Sequence, residues 1–261
     1  MFGAVHVIHL MPQQVVVSQL PRRFFKAAPA ILEARNEIKV DDDIEWATDA
    51  LRGLLSQNLL SGKLHITFSD MWVRYDLFSL GKNELSDEDT GMLARAQFAS
   101  QYPAAADWPL RLAQQGRQLL VAGINPSLLS AIEQVAADSG CRLTQLEPWF
   151  AKVLDSYEKE LTKADGWLLF DEPGMLVVAL LKQGELTSLY CQHCAEDQHE
   201  SAARLLLNRQ SALLGYPAGE VRIFSFSGDT LALQEPWRCS QFLIASPHVG
   251  SNALLTGQHF S

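Results

Sequence analysis

The 261 residues contain no GxSxG nucleophile elbow, no GxxxxGK[ST] phosphate loop and no GxGxxG dinucleotide fingerprint. These absences exclude the familiar sequence-readable routes to serine hydrolysis, P-loop nucleotide hydrolysis and dinucleotide redox chemistry. Positive charge is also short, because 21 Lys and Arg face 30 Asp and Glu and leave a formal net charge of −9. A nucleic-acid partner needs a cationic face, so none is expected. The tight basic cluster Arg22, Arg23, Lys26 reads as a solvated loop. Four cysteines spread over this length do not form the dense framework of a small disulfide-stapled domain. No apolar run approaches the ~20 residues that cross a bilayer. The opening MFGAVHVIHL lacks the basic start and long apolar core of a signal peptide. A cytoplasmic, soluble protein without membrane insertion is therefore expected.

What is present is an alternation of short strands and amphipathic helices. Ala4–Leu10 and Val15–Leu20, split by Met11-Pro12-Gln13-Gln14, predict a hairpin. Residues 21–40 are mixed and read as loop with some helix. Asp41-Asp42-Asp43 ahead of Ile44, Ala47, Leu51, Leu54 and Leu55 mark a capped helix, and Ser86 with Asp87-Glu88-Asp89 marks another. Strands are expected over 63–69, 72–80, 110–113, 118–122 and 141–146. Between the last two, Asn125-Pro126 opens a helix that Gly140 closes. A helix from Pro148 leads to a three-strand meander over 167–170, 176–181 and 186–191, turned by Asp171-Glu172-Pro173-Gly174 and Lys182-Gln183-Gly184-Glu185. Asp197 and Glu200 predict the cap of a helix that ends at Gly215, and Val221–Phe226 reads as a further strand. The remaining tail is polar and ends with Gly, Gln and His residues, so fraying is expected at its end. The order of elements is a weak duplication, with halves expected at 1–147 (carrying an inserted subdomain) and 148–261.

Candidate chemistry is sparse. Cys191-Gln192-His193-Cys194, with His199 nearby, has the spacing of a metal or redox pair, yet a structural zinc site normally needs two such pairs. The simpler reading is a strand end with two incidental thiols. The two acidic triplets suit hard cations on paper, but helix capping accounts for them without a metal. His6 and His9, in the first strand, read as structural. Phe226-Ser227-Gly228-Asp229 is a strand-to-glycine turn of the kind that approaches a ligand.

The meander, with its Asp-x-x-Gly turn, glycine turn and following helix, resembles the opening of each half of an actin-like (sugar kinase/Hsp70/actin) ATPase. Val73-Arg74-Tyr75-Asp76-Leu77, Glu84-Leu85, Ala94-Arg95-Ala96-Gln97-Phe98, Gly123-Ile124-Asn125, Gly140-Cys141-Arg142-Leu143 and Glu147-Pro148-Trp149 are similar to the pilus-assembly branch. Residues from about 63 to 192 thus resemble PilM-like proteins of type IV pilus systems and the cytoplasmic part of GspL-like type II secretion proteins. The resemblance implies an α/β chain with two actin-like (ribonuclease H-like) domains, each a mixed sheet flanked by helices, around a cleft. It implies a cytoplasmic protein that docks the tail of an inner-membrane partner, a homologous domain or its own copies. It also implies that nucleotide, where bound, meets an Asp-x-Gly loop after the first strand of each half. Here the first such loop is Leu10-Met11-Pro12-Gln13-Gln14, without the aspartate or the glycine, and its proline removes an N–H donor. The second keeps Asp171 and Gly174 but adds the charge of Glu172, which would repel phosphate by an amount on the order of a few kcal/mol. A scaffold without catalysis or cofactor is the leading expectation. A divergent ATPase holding Mg-ATP with Asp171, Gly174 and Gly228 is the alternative.

Overall fold

The computed structural model describes residues 4–12, 14–19, 30–34, 43–57, 62–81, 85–195, 198–226 and 231–243. The chain opens with β1 (Ala4–Leu10), β2 (Gln14–Gln19), β3 (Ala30–Ala34), α1 (Asp43–Gln57) and β4 (Gly62–Phe68). A 3₁₀ turn, Asp70–Trp72, leads to β5 (Val73–Ser79), α2 (Asp87–Gln101), β6 (Leu110–Gln115) and β7 (Gln118–Ile124). Next come α3 (Pro126–Asp138), β8 (Arg142–Pro148), α4 (Trp149–Ser156) and the short α5 (Glu158–Leu161). The chain continues through β9 (Gly166–Glu172), β10 (Met175–Lys182), β11 (Glu185–His193), α6 (His199–Leu214), β12 (Glu220–Ser225) and β13 (Arg238–Leu243).

Two compact units result. One runs up to Trp72 and resumes over Pro126–Lys152; the other is Val73–Asn125 with the described residues from Val153 on. The first unit holds a sheet of order β3-β2-β1-β4-β8, in which β1, β4 and β8 are parallel neighbours and β2 and β3 run antiparallel. The second holds a sheet of order β11-β10-β9-β12-β13, with β9, β12 and β13 parallel and β10 and β11 antiparallel. The two sheets share one topology: a meander, a helical crossover, and two further parallel strands. The duplication read from element order is therefore present in the strand pairing itself.

Each core follows from periodicity. In the first unit the stripe Ala47, Leu51, Leu54 and Leu55 of α1 is buried with Leu128, Ile132 and Val135 of α3, above Ile8, Leu64, Ile66 and Phe68. In the second, alternate residues of three strands (Trp167, Leu169, Leu176, Val178, Leu180, Val221, Ile223) pack against Ala203, Leu206 and Leu207 of α6. On the opposite face Phe170, Phe224 and Phe242 stack at 5.0 and 5.3 Å between ring centres, and Tyr157 closes on Phe224 at 5.1 Å.

The three-stranded sheet β5-β7-β6, capped by α2 through Ala94 and Phe98, joins the second unit. The sequence reading placed it as an insert of residues 1–147, yet its contacts lie with β11. The Gln115 amide donates to Gly184 O at 2.8 Å, and its carbonyl accepts from Leu186 N at 3.1 Å.

Two other expectations change, and the tail gains a strand. Residues 21–40 contain β3, which completes the first meander; the rest of that stretch, with Arg22, Arg23 and Lys26, lies outside the described residues. The tail contains β13, held as an edge by parallel pairing with β12, and its end, where fraying is expected, lies outside the described residues. The first residue of α6 is His199, behind Gln198, which makes no side-chain cap; Asp197 lies outside the described residues.

Candidate functional site

The site grows out of the strand alternation in the second unit. Trp167 and Leu169 point into the α6 core, so two residues on, Asp171 points the same way from the end of β9. By the same count Ser225 follows Val221 and Ile223 on β12, and the parallel register sets Ser225 beside Asp171. Both are buried, at 6% and 3% exposure, where the pattern would otherwise place apolar residues. A buried carboxylate must find donors. Ser225 Oγ donates to Asp171 Oδ2 at 3.3 Å, and His199 Nδ1–H, on the first residue of α6, donates to Oδ1 at 2.6 Å.

The hydrogen bond to Asp171 pushes the His199 pKa up to about 10, helped by the Cys194 thiol beside it and opposed by burial. His199 is therefore an imidazolium at neutral pH, and its charge offsets that of Asp171. Gly174, buried in the same hairpin, has φ +83°, the value that the third position of a type II turn asks of its residue. Its carbonyl accepts from Cys194 N at 3.1 Å, which ties the loop after β11 to the hairpin.

Of the three residues expected at a nucleotide, Asp171 and Gly174 thus come together in one hairpin, while Gly228 lies outside the described residues. The first unit is built differently at the matching place. Leu10 and Phe68, in register on β1 and β4, are both fully buried. The hairpin beyond them closes on itself, Met11 N donating to Gln14 O at 2.9 Å and Gln14 N to Met11 O at 3.3 Å. The first unit does hold a buried carboxylate, Asp70, but it accepts from Phe150 N at the start of α4 at 2.9 Å.

The cysteine pair of the sequence motif does not act as a pair. Cys191 and Cys194 are three residues apart, so they fall on opposite sides of β11 and its extension. Cys191 lies by Tyr102, whose hydroxyl donates to Tyr75 O at 2.7 Å, whereas Cys194 lies by His199. Among the described residues no group of three or more His, Cys, Asp or Glu is placed to hold a metal ion. Ser86 caps α2, its Oγ accepting from Asp89 N at 3.1 Å, and Asp87, Glu88 and Asp89 fill the first turn; Asp41 and Asp42 lie outside the described residues. His6 is buried in β1 and His9 half-buried on the alternate phase.

Sequence reasoning missed the partnership of His199 and Ser225 with Asp171. The signal available was the polar residue that follows each strand's apolar stretch, Asp171 after Trp167–Phe170 and Ser225 after Ile223-Phe224. Elsewhere in the second unit a cavity of about 350 Å³ opens beside β6 and β7, with Leu77, Ala113, Leu120, Leu154, Leu161 and Leu181 in its wall.

No family model and no curated protein matches the chain. Solved structures do. A Bacteroides thetaiotaomicron protein with an actin-like ATPase fold is similar at 10% identity and TM-score 0.60, over 87% of this chain and 83% of that one. The type IV pilus PilM–PilN biogenesis complex is similar at 10% identity and TM-score 0.60, over 85% and 81%. The cytoplasmic domain of EpsL, an inner-membrane component of the Vibrio cholerae type II secretion system, is similar at 9% identity and TM-score 0.60, over 94% and 92%. At these identities the likeness defines the fold: the chain is an α/β protein with the actin-like ATPase fold. No helix among the described residues is long and apolar enough to cross a membrane.

Proposed function

We propose that the chain is a non-catalytic scaffold of a type IV pilus or type II secretion-like assembly, held at the cytoplasmic face of an inner membrane by the tail of a membrane-anchored partner. The observation that carries the non-catalytic part is the first hairpin. Its Met11 and Gln14 amides are spent on each other, Pro12 has none, and Leu10 stands where a metal-linked carboxylate would be needed. In the second hairpin the Asp171 carboxylate is engaged by His199 and Ser225. Likeness to PilM with PilN and to the EpsL cytoplasmic domain supports the assembly setting. For the tail, the apolar cavity beside the exposed strand β6 offers side-chain pockets next to a strand that is a sheet edge among the described residues, which suits an extended peptide.

Isothermal titration tests both parts. Mg-ATP up to millimolar concentration is expected to give no heat. A synthetic peptide of a PilN-type cytoplasmic tail is expected to bind, and Ala113→Trp, which fills the cavity from β6, to abolish that binding. The competing reading, a divergent ATPase, draws on Asp171 and Gly174 sharing one hairpin. Magnesium-dependent ATP binding that Asp171→Ala removes would replace the scaffold reading with that one.

A further inference from the structure

Two helices of the second unit carry leucines that its own fold leaves in water. On α6, Leu205 and Leu213 are 66% and 67% exposed, two turns apart with Arg209 midway, so the three share one face. On α2, Leu93 is 41% exposed one turn after Asp89, and Leu85, ahead of the cap and four residues before Asp89, is equally exposed. The other sides of both helices are spent on core, Ala203, Leu206 and Leu207 of α6 on one sheet and Ala94 and Phe98 of α2 on another. A single exposed leucine needs no explanation. Leucine, charge, leucine at four-residue steps on two helices, with the sign of the charge reversed, is a matched pair of surfaces. Residues 201–214 of α6 hold Arg204 and Arg209 and no acid, whereas residues 87–94 of α2 hold Asp87, Glu88 and Asp89 and no base. Both central charges are already steadied within the chain. The Arg209 guanidinium lies 5.4 Å from the centre of the Tyr190 ring, and the Asp89 carboxylate accepts from Ser86 Oγ at 2.6 Å. Pairing them therefore costs less side-chain freedom.

We propose that the chain binds a second copy of itself head to tail, α6 of one copy against α2 of the next, with Leu205 and Leu213 packing on Leu85 and Leu93 and Arg209 facing Asp89. The leucines supply the affinity, because an exposed ion pair contributes little by itself. The charges set the register and reject α6 against α6 or α2 against α2, which would bring like charges together. Because two different surfaces meet, each added copy leaves one α2 and one α6 unused. Association then continues into a ring or an open chain and does not stop at a dimer. None of the six residues lines the cavity beside β6 or is a partner of Asp171, so this proposal is independent of the tail and nucleotide readings.

The test is sedimentation of the full chain at neutral pH and low salt, up to millimolar concentration. The average mass should climb with concentration from the monomer's 29.0 kDa to beyond twice that value. Two double variants remove one surface each and keep a good helix former in place: Leu205→Gln with Leu213→Gln on α6, and Leu85→Gln with Leu93→Gln on α2. Each alone should stay monomeric. An equal mixture of the two should form a one-to-one dimer and nothing larger, since the one intact α6 meets the one intact α2. Arg209→Glu, a single exposed change, should weaken association of the unmixed chain at least about tenfold by facing Asp89 with like charge, and it decides if a double variant fails to fold. An unaltered chain that remains at the monomer mass overturns the proposal, as does a mixture that stays monomeric. An α2 variant that associates as well as the unaltered chain would assign the contact to α6 alone and overturn it too.

Discussion

The first and second hairpins occupy the same place in two sheets of one topology, and they have been filled with opposite chemistry. Each joins the first strand of its sheet to the second. Each carries a proline at its second position, Pro12 or Pro173, and each first strand is bound by the parallel strand beside it. Ser69 N donates to Leu10 O at 2.9 Å in the first unit, and Phe226 N to Asp171 O at 2.8 Å in the second. Against that common backbone the registered side-chain pair is Leu10 with Phe68 in one sheet and Asp171 with Ser225 in the other. The backbone therefore does not decide what the hairpin end is for. A hydrophobic pair turns it into core, whereas a carboxylate with donors on two neighbouring elements turns it into a buried polar site.

The harshest way to break the comparison is to put the second chemistry into the first sheet. Leu10→Asp would bury a carboxylate against Phe68, where the described structure places an apolar pair. An uncompensated buried charge typically costs about 3 kcal/mol or more. The expected outcome is a large drop in the urea midpoint. A loss below about 1 kcal/mol would mean that water already reaches this end of β1, and the apolar description of the first hairpin would fail.

Much of the fold was legible because its elements carry their own signals. The α2 start was readable from Ser86 and its acidic turn, the α6 end from Gly215, and the second meander from turn residues between β-branched and leucine-rich runs. What was not legible depends on long-range pairing. The strand β3 carries no turn chemistry that sets it off, and β13 (RCSQFL) is too polar to read as a strand until β12 pairs with it. The home of the β5-β7-β6 sheet rests on contacts such as Gln115 with Gly184, residues far apart in sequence. The candidate site was half legible. Asp171 and Gly174 stood out by turn chemistry, but Ser225 and His199 reach Asp171 only through strand register and the crossover helix.

A gentler probe sharpens the comparison through pH, since only the second sheet's hairpin carries an ionisable pair. The folded chain holds the His199 pKa near 10, against an ordinary value of 6.5, because Asp171 favours the imidazolium. Folding therefore binds this proton more tightly than the unfolded chain does. The stabilisation is complete below pH 6.5 and is lost as pH rises from there through about 10. Thermal melting across that window should show stability declining, and His199→Gln should flatten the decline. An unchanged slope in the variant would assign the pH dependence to other groups and leave the Asp171–His199 pair energetically idle.

The smallest expected effect lies at Gly174. Its φ of +83° favours glycine, whereas the first hairpin carries Gln13 at the corresponding place in the sequence. Gly174→Ala should lower stability by about 1 kcal/mol, the usual strain of a Cβ at positive φ. The substitution leaves Asp171, His199 and Ser225 intact, so the pH window of His199 should survive it. Urea unfolding measured on both sides of that window separates two origins of the glycine. A uniform loss of about 1 kcal/mol at both pH values would mean that Gly174 serves the turn alone. A loss confined to the low-pH side would mean that the turn also aims Asp171 at His199, joining backbone conformation and buried charge in the feature that distinguishes the second hairpin from the first.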